Sequence, residues 1–231
     1  MKTTITLFTL LASLTTAPLA HASVIGPIQD EQVPAGMGYA VSQPPVEDSH
    51  MFEGKKVAIF ASHGVEEEEI LFPLNYLKAR GASVDIVVPS WTPQGIVISR
   101  FLKPTLWITA DQTFKSAFGK RYDLIVLTGG AWNAQVVKSD IEALQLITYH
   151  YRSGRPLAAI CAGTEILISA TLVSGQAVTG PFYSRSNLIN AGGHFTDQPA
   201  VFSGNLLTSR DPNDLVQFSE GLKQLLMLPS R

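Results

Sequence analysis

The chain has 231 residues, 45% of them apolar, and a formal net charge of −2. That length supports one sizeable hydrophobic core. The small charge gives no electrostatic footprint for nucleic acid or an anionic surface, so neither is expected as a partner. A single cysteine rules out an internal disulfide.

Residues 1–22 carry the pattern of a secretory signal. Lys2 gives a short positive start, Ile5 to Ala20 is mostly apolar, and Ala20-His21-Ala22 fits a small-x-small cleavage site. The expectation is an exported chain, periplasmic or secreted, beginning at Ser23. No later apolar run has the length of a membrane span, so stable membrane insertion is not expected. Residues 23–54 hold Pro27, Pro34, Pro44 and Pro45 without sustained periodicity and read as an extended tether. The folded domain is expected over residues 55–228.

Lys56–Ala61 is a short apolar run and reads as a buried strand. After a loop at Ser62–Val65, Glu66–Arg80 reads as a helix, acidic in its first turn and ended by Gly81. Ser83–Val88 is the second strand. A β-α-β opening predicts a parallel sheet with helices on both faces. Gly95–Ser99 and Thr105–Thr109 read as a hairpin on the sheet edge, and Asp111–Gly119 as a short helix. Tyr122–Thr128 is a strand running into Gly129-Gly130. A helix from about Asn133 to Arg152 follows, interrupted near Ser139-Asp140. Pro156–Ile160 and Gly175–Gly180 read as strands, with Ser184–Asn190 as a helical turn or two. His194–Thr196, Val201–Ser203 and Asn205–Thr208 are short strands. Asp211-Pro212 opens a last helix that carries Leu215, Phe218, Leu222, Leu225 and Leu226 on one face.

Cys161 comes directly after the Pro156 strand, and Ala162-Gly163 open the helical run Ile166-Leu-Ile168. A nucleophile on a sharp strand-to-helix turn is a nucleophile elbow. The helix N-terminus below the sulfur favours thiolate over thiol. The competing reading is a small hydrophobe buried on a core strand. Both stay open on this stretch alone.

Ligands of open parallel sheets bind beyond the C-terminal strand ends. Residues 63–69, Gly129-Gly130 and Cys161 all fall there. Helical phase puts Glu66 in line with Ile70, Pro73 and Leu77, with Glu69 about 60° away on the flank of that face. It turns Glu67 and Glu68 to solvent. Glu66 and Glu69 are therefore the carboxyls expected near Cys161. A carboxyl shielded from water beside a thiolate has its pKa raised and stays protonated, as a hydrogen-bond donor or general acid. Gly130 and Ala162 N–H groups are candidate oxyanion-hole donors. His63 is the first candidate for a general base and His194 a weaker one, while His150 reads as a surface residue. There is no metal-ligand cluster and no phosphate loop, so no metal or cofactor is expected.

Taken in order, these motifs resemble the ThiJ/PfpI family of the class I glutamine amidotransferase-like superfamily. The resemblance runs from about Lys55 to Leu226. It rests on Val57–Ala61 with Gly64-Val-Glu-Glu-Glu-Glu69 and Pro73, on Leu127-Thr-Gly-Gly130, on Ala158-Ala-Ile-Cys-Ala-Gly163, and on Asn190-Ala-Gly-Gly-His194 with Leu207-Thr-Ser-Arg210. It implies a flavodoxin-like three-layer α/β sandwich, with a mostly parallel central sheet and a cysteine nucleophile elbow, usually as a homodimer. By this resemblance Cys161 matches the reactive cysteine and Glu69 the glutamate that hydrogen-bonds the sulfur. Glu66 matches a second acidic position, and Gly130 and Ala162 the oxyanion-hole positions. Family members are described as deglycases or cofactor-independent glyoxalases acting on methylglyoxal-type adducts, as peptidases, or as oxidative-stress proteins whose cysteine becomes a sulfinate. The implied partner is a small-molecule or glycated substrate. The sequence departs from the family at two points. Ala162 stands where the peptidase-like branch has a histidine, and Thr179–Ser184 lacks the histidine of another branch. The downstream His-x-Glu of glutamine amidotransferases is absent. The expectation is a glyoxalase- or deglycase-type enzyme, against an oxidation sensor or a binding domain without catalysis.

Overall fold

The computed structural model of the chain describes residues 24–27 and 41–228. The targeting segment read over residues 1–22 lies outside the described residues. The elements in order are β1 (Val24–Pro27), β2 (Lys56–Phe60), β3 (Val65–Glu66), α1 (Glu67–Lys78), β4 (Ser83–Val88), β5 (Gly95–Arg100) and β6 (Lys103–Thr109). Then come β7 (Gln112–Thr113), α2 (Phe114–Ala117), β8 (Leu124–Leu127), α3 (Ala131–Val137), α4 (Ile141–Arg152), β9 (Leu157–Ile160) and α5 (Gly163–Ser169). The chain closes with β10 (Ala177–Val178), α6 (Arg185–Asn190), β11 (His194–Phe195), β12 (Ala200–Ser203), β13 (Leu206–Ser209) and α7 (Leu215–Leu226).

The central sheet has seven strands in the order β12-β13-β9-β8-β2-β4-β7. All pairings in it are parallel except β12 with β13. The chain leaves β2 outward to β4 and β7, then returns to β8 on the other side of β2. That reversal is a topological switch point, where the loops leaving β2 and β8 diverge and open a crevice. β9 pairs with β8, so the ends of β2, β8 and β9 lie side by side.

Strand periodicity explains why these short runs are apolar throughout. Val57, Ile59 and Ala61 enter one core, where Leu74 and Leu77 of α1 and Leu222 of α7 cover them. Ala58 and Phe60 enter the other, beneath Ile147 of α4 and Leu167 of α5. Both faces are buried, and the result is the three-layer α/β sandwich with a mostly parallel sheet. α5 packs close because Gly163 has no side chain: a Cβ there would sit 2.5 Å from the Leu127 carbonyl oxygen. The break between α3 and α4 falls where it was read, with Asp140 accepting hydrogen bonds from Glu142 and Ala143 N–H.

Two expectations are corrected. The β5–β6 hairpin does not extend the central sheet. It forms a separate four-stranded sheet, β1-β6-β5-β3, with Ile96, Ile98 and Ile108 buried in the α1-side core. Its lone apolar face could be satisfied on the sheet or on the core, and sequence spacing does not separate the two. Gly175–Gly180 narrows to Ala177–Val178, which pairs only with β11. The segment before Lys55, read as an extended tether, is anchored on the domain. β1 pairs antiparallel with β6, and Phe52 is fully buried against Tyr76 with its N–H on the Arg80 carbonyl at 2.7 Å. Arg80 in turn donates to the Pro45 carbonyl at 2.7 Å.

Truncating this anchor leaves a cavity under α1. We expect Phe52→Ala to lower unfolding free energy by about 3 kcal/mol, the low end for a buried phenylalanine, as measured by urea denaturation. A loss below about 1 kcal/mol would mean that the domain does start at Lys55.

Candidate active site

Cys161 sits on the turn between β9 and α5 with a φ of 55°, in the left-handed region. For a residue with a Cβ that conformation costs roughly 1–2 kcal/mol. Neighbouring groups hold it there. Its N–H donates to the Ser209 carbonyl at the end of β13 (3.1 Å). Its carbonyl accepts from the N–H (3.0 Å) and hydroxyl (2.7 Å) of Thr164. The elbow is thus pinned on both sides, and the side chain is lifted above the strand ends.

Glu69 comes from the first turn of α1 and is fully buried. Its Oε2 accepts the Gly129 N–H at 2.7 Å, and the carboxyl lies beside the Cys161 sulfur. Oε1 is buried without a hydrogen-bond partner. Burial is the largest influence on the carboxyl and pushes its pKa up to about 8. Burial also pushes the Cys161 thiol well up. The Glu69 charge adds to this, while the Tyr183 hydroxyl and the Ala162 N–H pull the other way. The helix terminus therefore does not by itself make a thiolate here, because desolvation outweighs it. Two negative charges do not share this volume, so the pair retains a proton through neutral pH. With the proton on Glu69, the charge that lifts the thiol is gone and an O–H donor faces the sulfur.

The turn after β8 makes this approach possible. A Cβ on Gly129 would lie 2.7 Å from the Cys161 Cβ and closer still to Glu69. Gly130 has φ 89° and leads into α3, and a Cβ there would meet the Glu66 nitrogen at 2.7 Å. Asn133 locks the two loops together. Its Oδ1 accepts the Ser62 N–H at 2.6 Å, and its Nδ2 donates to the carbonyls of Thr128 and Gly129, both at 2.8 Å. Nothing in the sequence singled out Asn133.

The start of α1 differs from the expectation. Glu66 is extended and precedes the helix, which begins at Glu67. Ile70, Pro73 and Leu77 are buried as expected, and the buried face widens past them through Glu69, Phe72 and Tyr76 on one side, so that Glu69 lies well inside it. Glu66 still reaches the site. Its Oε2 accepts the Phe101 N–H at 3.2 Å, and burial raises its pKa to about 7. Glu67 and Glu68 are not turned to solvent: both pair with Arg100 at the end of β5, at 2.5 and 3.4 Å. The unforeseen hairpin packing supplies that arginine.

The histidines lie elsewhere. His63 Nδ1 accepts the Val97 N–H (3.0 Å), and Nε2 faces the Thr92 hydroxyl (3.3 Å), which donates to the Gly95 carbonyl. In the neutral tautomer with the proton on Nε2 every group in that chain is matched, and no ring nitrogen is left to act on Cys161. Burial lowers the His63 pKa, which fits that state. His150 is buried rather than on the surface. It follows Ala143 and Ile147 on the inner face of α4, and Nε2 lies 2.6 Å from the Pro156 carbonyl. His194 is exposed on β11.

Glu66, Glu69, Gly130, Cys161, Tyr183 and Asp211 border a cavity of about 360 Å3 at the switch point. None of the residues lining it is a histidine, and no cluster of three metal-ligating side chains occurs among the described residues. A larger groove of about 630 Å3 lies at the other end of the strands, beside Tyr122 and Arg155, away from Cys161. Tyr183 was not foreseen. Its hydroxyl lies 3.4 Å from the Cys161 sulfur. Asp211, read only as a helix cap, also borders the cavity and adds to the rise at Glu69.

A profile of the DJ-1/PfpI family matches residues 55–224. The chain belongs to the DJ-1/PfpI family. A deglycase from Thermococcus kodakarensis is 30% identical over 171 residues, covering 74% of this chain and 99% of that protein. Deglycase PfpI of Pyrococcus furiosus is 29% identical over the same coverage. Among solved structures, Schizosaccharomyces pombe DJ-1 superposes with a TM-score of 0.66 at 26% identity, over 76% of this chain and 93% of that one. A two-domain protein from Anabaena variabilis with a DJ-1/ThiJ/PfpI-like and a ferritin-like domain gives 0.69 at 29% identity. It covers 77% of this chain, which spans about half (51%) of that one.

In this DJ-1/PfpI chain the buried carboxyl has a measurable cost. Unfolded Glu69 releases its proton near 4.5, whereas the folded residue keeps it to about 8. Below 4.5 both states hold the proton. Across the window between the two values the unfolded state is increasingly favoured, so stability falls as pH rises. Glu69→Gln removes this slope. Between pH 5 and pH 8, wild type is expected to lose about 3 kcal/mol more than the variant in urea melts. Parallel losses in the two proteins would show that Glu69 is ionised in the fold.

Proposed function

We propose that this protein is an exported, cysteine-dependent enzyme of the glyoxalase or deglycase type, acting on reactive aldehydes or their adducts. The observation that carries the reading is the Glu69 carboxyl, fully buried beside a cysteine on a strained elbow at the mouth of a small cavity. Relatives named as deglycases support it. The Cys161 thiolate adds to the carbonyl carbon. A C–S bond forms, the carbonyl π pair moves to oxygen, and the oxygen takes the proton carried by Glu69. The Gly130 and Ala162 N–H groups stabilise the developing negative charge. Glu66, with a pKa of about 7, is a second proton carrier at neutral pH. Nucleophile and acid form one unit, so loss of either removes most of the rate.

Methylglyoxal consumption, followed by loss of the dicarbonyl, tests this. Saturable turnover is expected, reduced at least ~100-fold in Cys161→Ser. Turnover that survives the substitution would falsify the cysteine mechanism.

A second reading is favoured by one observation. Cys161 is the only cysteine, so an oxidised sulfur has no internal thiol with which to form a disulfide. Sulfenate would then proceed to sulfinate, with Tyr183, Glu69 and Ala162 N–H as hydrogen-bond partners. A two-oxygen mass gain on Cys161 at mild peroxide, in protein without dicarbonyl turnover, would support this reading over the first.

Export and a homodimeric state belong to the same proposal. Expressed from the full chain in a bacterium, the protein is expected outside the cytoplasm, starting at Ser23 by mass and dimeric by light scattering. Full-length protein confined to the cytoplasm would remove the export reading.

A further inference from the structure

The cavity around Cys161 contains a residue that neither the sequence motifs nor the aldehyde-addition mechanism above uses. Tyr183 lies in the 3-10 turn Phe182–Ser184, directly after Pro181. Its neighbour Phe182 points outward and is 86% exposed. Tyr183 is itself 65% exposed, yet its hydroxyl is turned inward to 3.4 Å from the Cys161 sulfur. The turn alone does not force this, because Phe182 in the same turn does the opposite. The residue leaves most of its surface in water while its oxygen meets the sulfur of a partly buried cysteine.

We propose that Tyr183 is a catalytic hydrogen-bond donor that holds the Cys161 sulfur as thiolate and stays on it while the sulfur attacks. This rests on the aldehyde-addition reading for the reaction, but the contact with sulfur does not depend on it. The chemistry of the lining assigns the role. The sulfur has two side-chain oxygens beside it, from Glu69 and Tyr183. Glu69 gives up its proton when the substrate oxygen needs one. Tyr183 does not, because desolvation of its inward-turned hydroxyl and the neighbouring sulfur and carboxyl hold that group well above the ordinary phenol range, although the residue as a whole is exposed. It donates without being consumed. In the addition step the sulfur pair forms the S–C bond, the carbonyl pair goes to oxygen, and oxygen takes the Glu69 proton. Tyr183 keeps its own proton throughout. A phenol that does not ionise also cannot serve as base, so proton removal stays with the carboxyls.

The test is the pH dependence of Cys161 alkylation by iodoacetamide in wild type, Tyr183→Phe and Tyr183→Ala, alongside methylglyoxal kinetics. Tyr183 is mostly exposed, so both variants should fold. Loss of the donor raises the thiol pKa, so the Tyr183→Phe profile is expected to move up by about one pH unit. In the same variant kcat should fall roughly tenfold with KM little changed, because the group touches sulfur and not the substrate's remote parts. Tyr183→Ala should show the same shift with faster limiting alkylation, since the ring no longer covers the sulfur. Superimposed profiles for wild type and Tyr183→Phe overturn the proposal. A shifted profile in a protein that never consumes methylglyoxal keeps Tyr183 as the thiolate's donor and overturns the aldehyde reading instead. Alkylation of wild type only after denaturation overturns both.

Discussion

One buried carboxyl against one sulfur constrains everything around it. Glu69 has no exposed surface, and its Oε2 meets a backbone N–H while the carboxyl lies beside Cys161. Bringing those groups together requires that the turn between them carry no side chain, which fixes glycine at 129. It requires the two loops that face each other to be tied, which Asn133 does through three backbone partners. It also requires the nucleophile to leave its strand sharply, which costs Cys161 a left-handed backbone. Each of these features is unfavourable or neutral alone. Together they make one arrangement in which a carboxyl stays protonated beside a nucleophile.

The sheet makes this possible at modest chain length. β2, β8 and β9 are separated in sequence by a hairpin and several helices, yet they are consecutive in the sheet. Their exits are held close by the strand spacing of ~4.8 Å. The two cores on either side make the strands rigid, so positions at their ends are set by packing rather than by loop flexibility. The hairpin sheet adds a further constraint. Arg100 satisfies Glu67 and Glu68, and the Phe101 N–H satisfies Glu66, so four consecutive glutamates at a helix start are sorted into two roles. Two are ion-paired to Arg100 on the flank, and two border the cavity.

Much of this was legible in the chain itself. Fully apolar strands, Gly129-Gly130, the elbow at Cys161 and the break at Asp140 are local signals, and local signals survive folding. What was missed depended on long-range pairing. The helix start was misread because Glu66 belongs to β3, whose partner β5 lies some thirty residues on, with Glu66 opposite Ser99. Glu67 looked solvated because its cation comes from that same hairpin. His63 looked like a base because it stands on the right sheet edge, but the edge also carries the hairpin and the loop leading into it, whose Val97 and Thr92 occupy the two ring nitrogens. His150 looked exposed because it is polar and near a helix end, although its spacing from Ala143 and Ile147 puts it inward. Tyr183 carries no motif. A tyrosine in an irregular turn acquires meaning only when the turn is seen to lie over the sulfur.

The lack of a histidine in the cavity lining changes how the site must manage protons. A histidine base is poised near neutrality by its intrinsic chemistry, whereas a glutamate reaches that range only by desolvation. Glu66 at about 7 and Glu69 at about 8 have been brought there by burial, at different depths and with different neighbours. The result is a graded pair. The deeper carboxyl holds its proton against the sulfur, and the shallower one exchanges protons close to neutral pH. That arrangement carries its own penalty, because every unit by which burial raises a carboxyl pKa is stability withdrawn from the fold as pH rises. The fixed hydrogen bonds of Asn133, Thr164 and Ser209 around the site offset this penalty. They hold a protonated acid and a strained nucleophile in contact, where either group alone would relax toward solvent.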